Sequence, residues 1–421
     1  MERYSLKHLC RFLSFLFFVT HSLALTTWAI TINVANSPET NLALALNAIQ
    51  SAKKKLIVNA YELTSPEIAN ALKQKIKKIP VTILLEGQPV GGIDEDGSQI
   101  KDSIVKAMNR SSLPHKFLVM SSKTPNGERA RRFRFDHAKY IIVDDSSLLV
   151  GSENYTVSGH PTEGSKGTRG WETLIHDKGM ASSFLQLFKT DSSTAHGDVF
   201  LISENRFKSP IPFIGDWEED LRELGSITQH SYIPPTPPPM DFEVPNINQL
   251  TSPNTSTSGL LNFIRGAKKT LDIELMSFSY RWGNTGNVSP LFTAIVDAAR
   301  KGVAVRVLLN DERAFGGDFR LESESLNSKT SNNVLVVEQL QAVAKKEHLE
   351  LKAMIADVKT MEVKYIHNKG AIADKKTVLI SSINWNRNSL ENNREAAVVI
   401  HSNEVSDYYN HLFETDWNDS L

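Results

Sequence analysis

The chain has 421 residues, 40% of them hydrophobic and 23% charged, which supplies a large core and excludes the polar, highly charged composition of a disordered protein. Its 47 Lys and Arg balance 48 Asp and Glu, and the pI near 6.9 excludes a global attraction to polyanions. Any pull toward nucleic acid or a membrane must therefore come from local patches, and the length favours two domains or two fused lobes.

Residues 1–29 read as a secretory signal peptide, with Arg3, Lys7 and Arg11 followed by the apolar run "FLSFLFFVTHSLAL". Small residues place cleavage after Ala24 or after Ala29; the alternative is an uncleaved anchor, since Phe12 to Ile30 is nearly long enough to span a bilayer. The single Cys10 lies in this segment, so the mature chain has no disulfide, thiolate nucleophile or cysteine metal site. The expected location is the periplasm or the outside of the cell.

From residue 30 onward the chain reads as a duplication, with lobes at 30–230 and 260–421. "NAIQSAKKKLIVNAYEL" (Asn47–Leu63) returns 215 residues later as "NFIRGAKKTLDIELMSF" (Asn262–Phe278), each a helix end, a Lys-rich turn and a strand. A helix and an apolar strand follow in both copies, "SPEIANALKQKIKKIPVTILLEG" and "SPLFTAIVDAARKGVAVRVLLND". Then "HAKYIIVDDSSLLVGSEN" faces "HNKGAIADKKTVLISSIN" at an offset of 230. Between the copies lies Ser231–Gly259, whose prolines fit neither helix interiors nor central strands and predict an extended connector. Strands alternating with helices predict an α/β fold: two similar lobes, each a mixed β-sheet flanked by helices, packed with pseudo-twofold symmetry.

The polar residues of the third block carry the chemistry. On a strand, i and i+2 share a face, so His137 projects with Lys139, and His367 with Lys369. Both copies continue to an aspartate (Asp144, Asp374) and a small-Ser-x-Asn turn (Ser152, Asn154; Ser382, Asn384). A glutamate before an apolar strand follows in each, Glu172 and Glu395. Such a set suits a phosphodiester. Two lysines and two Ser/Asn pairs bind the non-bridging oxygens and stabilise transition-state charge. One imidazole attacks phosphorus, while the other protonates the leaving oxygen and then deprotonates the incoming water or alcohol. A carboxylate on each ring fixes its tautomer, a task assigned to Glu172 and Glu395. A lysine beside each histidine repels a divalent cation, so no catalytic metal and no other cofactor is expected.

The doubled His-x-Lys-x-x-x-x-Asp with its Gly/Ser-Ser-x-Asn turn resembles the phospholipase D superfamily over roughly residues 40–415. The resemblance implies two α/β lobes of about seven strands each, with both histidines, both lysines and both asparagines lining one interfacial pocket. It also implies that Asp144 and Asp374 turn away to brace the structure. His137 becomes the nucleophile and His367 the general acid, an order that the duplication leaves reversible. Two departures stand out. Position 381 is serine rather than glycine, and Glu172 lies 35 residues after His137 whereas Glu395 lies 28 after His367. The extra residues fall around "SGHPTEGSKGTRG", a candidate rim over the site; if that loop displaces the strand, Glu172 is the wrong acid.

For the substrate, "ERARRFRFDH" interleaves Arg129, Arg131, Arg132 and Arg134 with Phe133 and Phe135, and the second motif is followed by Trp385 and Arg387. Both stretches suit a nucleic-acid groove, an anionic headgroup or a plain solvated edge. Export and the absence of net positive charge favour a phospholipid or membrane-surface substrate, with a secreted nuclease as the alternative. A non-catalytic phosphate-binding module is the third reading. Both half-sites lie in one chain, so a monomer suffices and no obligate protein partner is expected.

Overall fold

A computed structural model describes residues 29–202, 239–315 and 332–421. Nearly all of the expected signal peptide, and residues 231–238 of the expected connector, lie outside the described residues.

The first lobe opens with β1 (Ile30–Ser37) and α1 (Asn41–Ser51), then alternates β2 (Leu56–Ala60), α2 (Pro66–Ile76), β3 (Val81–Glu86), α3 (Glu95–Asn109) and β4 (Lys116–Met120). A small hairpin, β5 (Lys123–Thr124) and β6 (Gly127–Glu128), precedes β7 (Tyr140–Val143), β8 (Ser147–Gly151) and β9 (Gly170–His176). The lobe closes with α4 (Lys178–Asp191), β10 (Val199–Leu201) and β11 (Met240–Val244). The second lobe repeats the plan: β12 (Asn246–Ser252), α5 (Ser256–Gly266), β13 (Thr270–Leu275), α6 (Pro290–Arg300), β14 (Ala304–Leu309), α7 (Asn332–Glu347) and β15 (Leu351–Ile355). It ends with β16 (Lys369–Ala373), β17 (Thr377–Ser381), α8 (Arg387–Glu391), β18 (Glu395–His401) and α9 (Asn403–Asp419).

Sheet order makes the duplication explicit. The nine-stranded sheet runs β10-β4-β3-β2-β7-β8-β9-β1-β11 and the seven-stranded sheet β15-β14-β13-β16-β17-β18-β12. Without the edge strands β10 and β11, the first order maps strand for strand onto the second. Local signals explain the elements. Ser65 caps α2 by accepting from the Ile68 amide at 3.3 Å, Pro66 pre-sets its first turn, and Ile68, Ala69, Leu72 and Ile76 bury one stripe. The parallel strands β2 and β3 are covered on both faces and read as near-continuous apolar runs.

The connector differs from expectation. From Met240 onward the extended chain is paired sheet: β11 adds to β1 at the edge of the first lobe and β12 to β18 in the second. Pro245, which has no amide hydrogen to donate, falls between the two strands, so the chain changes lobes there rather than near Gly259. The lobes share a core in which Ile32, Tyr140, Val150 and Trp171 of the first sheet meet Ile372, Ile380, Val398 and Tyr409 of the second lobe. Further cores lie under the outer helices of each lobe. The two sheets therefore pack through their inner faces, and the ends of β7 and β16 that carry the motifs lie at the join.

Candidate active site

The motif lysines stand at the entry to β7 and β16, and the hairpin turns at the other end fix the aspartates. The β7–β8 and β16–β17 hairpins turn through positive φ, at Asp144 (52°) and Asp145 (56°) and at Asp374 (57°) and Lys375 (52°). From there the Asp144 carboxylate accepts the backbone amides of Lys53, Lys54 and Lys55 at 2.7–2.9 Å. Asp374 does the same for Lys268, Lys269 and Thr270 at 2.6–3.0 Å. Burial raises both carboxyls, but these amides outweigh it and hold both below the usual aspartate range. Both aspartates brace the hairpin end of their sheet and face away from the histidines.

At the other end of β7 and β16 the lobes exchange backbone. The His137 amide donates to the Arg394 carbonyl and the His367 amide to the Arg169 carbonyl, both at 2.8 Å. In return the Arg394 amide donates to Phe135 at 2.8 Å and the Arg169 amide to Tyr365 at 2.9 Å. Each arginine is locked from behind. Arg394 pairs with Asp191 at 2.8 Å and lies 4.3 Å over the Phe133 ring; Arg169 pairs with Asp416 at 2.9 Å and with Glu39. The exchange carries each histidine beside the other lobe's β9 or β18 segment.

That explains the carboxylate partners. His137 Nδ1 lies 2.8 Å from Glu395 of the second lobe, whose carboxylate also accepts from Ser382 Oγ at 2.6 Å and Asn393 Nδ2 at 3.0 Å. Glu395 thus orients a histidine as expected, but the opposite lobe's. Glu172 orients neither ring: it meets His160 Nε2 at 3.2 Å, and His160 Nδ1 in turn meets the Asn154 carbonyl at 2.9 Å. The loop around His160 holds the Glu172 carboxylate, off both catalytic rings. Its place is taken by Glu153, the variable residue of the Ser-x-Asn turn, which lies 3.2 Å from His367 Nδ1 and accepts from Thr168 Oγ1 at 2.7 Å.

The remaining residues sort by depth. Ser152 and Ser382 are fully buried; Ser152 Oγ accepts the Trp171 amide and Ser382 Oγ the Ala396 amide, both at 3.1 Å, so they brace the turn rather than face a phosphate. Lys139 and Lys369 are buried and donate to the carbonyls of His137 and His367 at 2.6 and 2.5 Å. Lys139 Nζ lies 5.0 Å over the Tyr61 ring, and Lys369 Nζ lies 3.4 Å from Met276 Sδ. Both histidines, Glu153, Asn154, Tyr61 and Met276 border one cavity of about 370 Å³. The lysines sit in the layer behind it, and Asn384, expected to line it with Asn154, is buried and does not border it.

Electrostatics follow from that layering. Burial, then the charges of Lys139 and Lys369, push His137 well below the ordinary imidazole range. Burial and the same two lysines lower His367 to about 4, against the opposing pull of Glu153. Burial drives Glu395 up to about 7 despite Lys139. With both rings neutral, His137 donates from Nδ1 to Glu395 and His367 Nδ1 faces the Glu153 carboxylate at 3.2 Å, which leaves each Nε2 for a substrate. Among the described residues no group of three or more His, Cys, Asp or Glu side chains is arranged to hold a metal ion.

A family model described as the phospholipase D-like domain of cardiolipin synthase matches residues 45–191 and 260–417, that is, both lobes. The chain belongs to the phospholipase D superfamily. Mitochondrial cardiolipin hydrolase of Mus musculus is 36% identical over 53 residues, which is 13% of this chain and 24% of that protein; the Canis lupus familiaris protein is 36% identical over the same length, covering 21% of it. The chain thus spans about a quarter of the length of these curated relatives or less. A phosphatidylserine synthase from Haemophilus influenzae Rd KW20 shares the fold at a TM-score of 0.60 and 16% identity, over 93% of this chain and 88% of that one.

Two substrate signals of this phospholipase D-like chain resolve differently from expectation. Residues 130–135 are irregular, and Asp136 makes an isolated bridge to Arg394. Arg131 pairs with Glu86, Arg132 with Asp198 at 2.9 Å, and Phe133 lies beneath Arg394 of the second lobe, while Arg129 and Arg134 are exposed. Trp385 is fully buried against Phe278, and Arg387 pairs with Glu391.

Proposed function

We propose that this member of the phospholipase D superfamily hydrolyses a phospholipid phosphodiester through a covalent phosphohistidine, without a catalytic metal. The observation that carries the reading is the pair of buried imidazoles on one cavity, each with Nδ1 held by a carboxylate and each backed by a buried lysine.

His137 Nε2 attacks phosphorus and the bond to the leaving alcohol breaks, its oxygen taking a proton from His367. Water then loses a proton to His367 and attacks phosphorus, the N–P bond breaks, and the free phosphatidate leaves with His137 regenerated. His367 must be protonated for the first step. An arriving phosphate supplies the negative charge that offsets Lys139 and Lys369, the groups that otherwise disfavour that proton. The same lysines disfavour a divalent cation and stabilise charge on the non-bridging oxygens. Duplicated half-sites leave the order of the two rings open to reversal.

Phospholipid is preferred over nucleic acid because two of the four arginines before the first motif, Arg131 and Arg132, are paired internally and the cavity wall includes Glu62, Asp94 and Asp96. Acidic walls repel the repeating phosphates of a polynucleotide. The lipid-linked description of the matching family model supports the same choice. An exported, monomeric enzyme acting at a membrane surface fits the apolar leader and the presence of both half-sites in one chain. The test is headgroup release from choline and ethanolamine phospholipid vesicles in EDTA, run beside degradation of single-stranded DNA and RNA. Release that a His137→Asn variant lacks is the expected result; nucleic-acid degradation without lipid turnover would overturn the substrate assignment in favour of a nuclease.

A further inference from the structure

Glu153 does not stand where the second lobe keeps its carboxylate. Three sets of backbone contacts define the equivalence. Gly170 pairs with Ser37 on β1, as Glu395 pairs with Ser252 on β12. The next residue's carbonyl accepts the turn serine's amide in each lobe, Trp171 from Ser152 at 3.1 Å and Ala396 from Ser382 at 3.0 Å. The preceding arginine carbonyls accept the two histidine amides at 2.8 Å. Position 170 is therefore the counterpart of Glu395, position 172 that of Ala397, and position 153 that of Ile383. The first lobe has glycine where the second has glutamate, and glutamate where the second has isoleucine.

The two exchanges occupy the same space. A Cβ on Gly170 would lie 1.9 Å from Glu153 Oε1 and 2.6 Å from its carboxyl carbon. Glu153 is almost fully buried; its Oε2 faces His367 Nδ1 at 3.2 Å and accepts from Thr168, and its Oε1 is the oxygen that lies over Gly170. Ile383, by contrast, packs in an apolar core of the second lobe.

We infer that Glu153 is a positioning residue for His367: its carboxylate has moved from strand position 170 to turn position 153, fills the volume that Gly170 leaves, and fixes His367 with the proton on Nδ1. The inference rests on the two-histidine reading above for its effect on turnover, but not for its effect on the ring. Removing the carboxylate leaves Lys139 and Lys369 unopposed at His367.

The test uses the full-length protein with Glu153→Gln, Glu153→Ile, Gly170→Glu and the double variant Glu153→Ile/Gly170→Glu, which copies the second lobe's arrangement. Headgroup release should fall by about 10²-fold or more in Glu153→Ile, the scale on which loss of a histidine-orienting carboxylate acts. Gly170→Glu alone should fall as well, because two carboxylates then compete for one space, and the double variant should recover to within about 10-fold of the parent. In Glu153→Gln the limb of the pH profile that needs protonated His367 should move to lower pH. ¹⁵N NMR of histidine-labelled protein, with the His367 signal assigned by its loss in His367→Gln, should show the Nδ1–H form in the parent and a mixed or Nε2–H form in Glu153→Ile. Full turnover and an unchanged Nδ1–H signal in a folded Glu153→Ile would overturn the inference, as would a folded double variant no better than the single. If the parent releases no headgroup, the proposed function fails, and the ring signal still decides the positioning role.

Discussion

Replacing Asp374 by alanine tests whether the motif aspartates hold the fold and not the reaction. Its carboxylate accepts three consecutive backbone amides at 2.6–3.0 Å, while the Asp374 amide donates back to the Thr270 carbonyl at 2.9 Å. Hydrogen bonds to a charged acceptor contribute about 1.5–3 kcal/mol each when buried; here water can replace part of them at a half-exposed turn, so the loss is about 2–3 kcal/mol in total. Alanine also fits the positive φ of 57° poorly, which adds to the cost. In a chain of this size that lowers the melting temperature by roughly 2–4 °C. The pH dependence has a definite sign. The folded-state pKa lies below the unfolded one, so the stabilisation is present above the unfolded value of about 4 and disappears as pH falls through the depressed folded value. Thermal melts of parent and variant should therefore converge on acidification below about pH 4. Headgroup release per folded molecule should be unchanged. A variant that melts like the parent yet loses turnover would refute the reasoning and place Asp374 in the reaction.

Three further outcomes follow from the site. His137→Asn and His367→Asn should each reduce turnover by at least about 10³-fold, since the rings act as one unit, and substantial release by either folded variant would exclude the two-histidine mechanism. Glu395→Gln should lose about 10²-fold or more in headgroup release because it removes the charge that holds His137, while Glu172→Gln, which contacts His160, should stay within about 10-fold; equal losses would mean that Glu172 acts on the site after all. Asp191→Ala leaves the buried Arg394 guanidinium without its carboxylate at the lobe junction and should cost about 3–5 kcal/mol in denaturant unfolding, so a loss below about 1 kcal/mol would show that the pair does not hold the junction.

The duplicated motif was legible because its pattern is local: the His-x-Lys pair leading into β7 or β16, and the turn residues after it, recur in either lobe regardless of the partner, although His137 and Lys139 precede the strand rather than share its face. The mixed sheets and the shared join were legible for the same reason, since seven strands recur in one order. What the chain could not show locally was which carboxylate meets which ring, because that depends on backbone exchanged between lobes. Counting from the nearest glutamate paired Glu172 with Glu395. The dipeptides Arg169-Gly170 and Arg394-Glu395, together with the closing histidines His176 and His401, carry the true register, shifted by two residues. The aromatic-basic stretch misled for another reason: Arg131, Arg132 and Phe133 find buried partners distant in sequence, and composition does not reveal a partner that distant.

The serine at position 381 belongs to the same shift. Gly151, its counterpart, faces Glu172 across the β8–β9 pair, and a Cβ there would lie 2.3 Å from Glu172 Cγ; Ser381 faces Ala397, which leaves room for a hydroxymethyl group. Each change on β9 is thus answered on the neighbouring strand or loop. Gly151 makes space for Glu172, His160 takes up the Glu172 carboxylate, and Glu153 restores at His367 what Gly170 no longer provides. Read singly, a glycine, a serine and a lengthened loop are neutral departures from a repeated pattern. As a set they keep one requirement fixed, a carboxylate within reach of each imidazole, while the residue that supplies it moves along the chain. A site constrained by the position of charge rather than by residue number permits that movement, provided the volume vacated at one position equals the volume filled from the other.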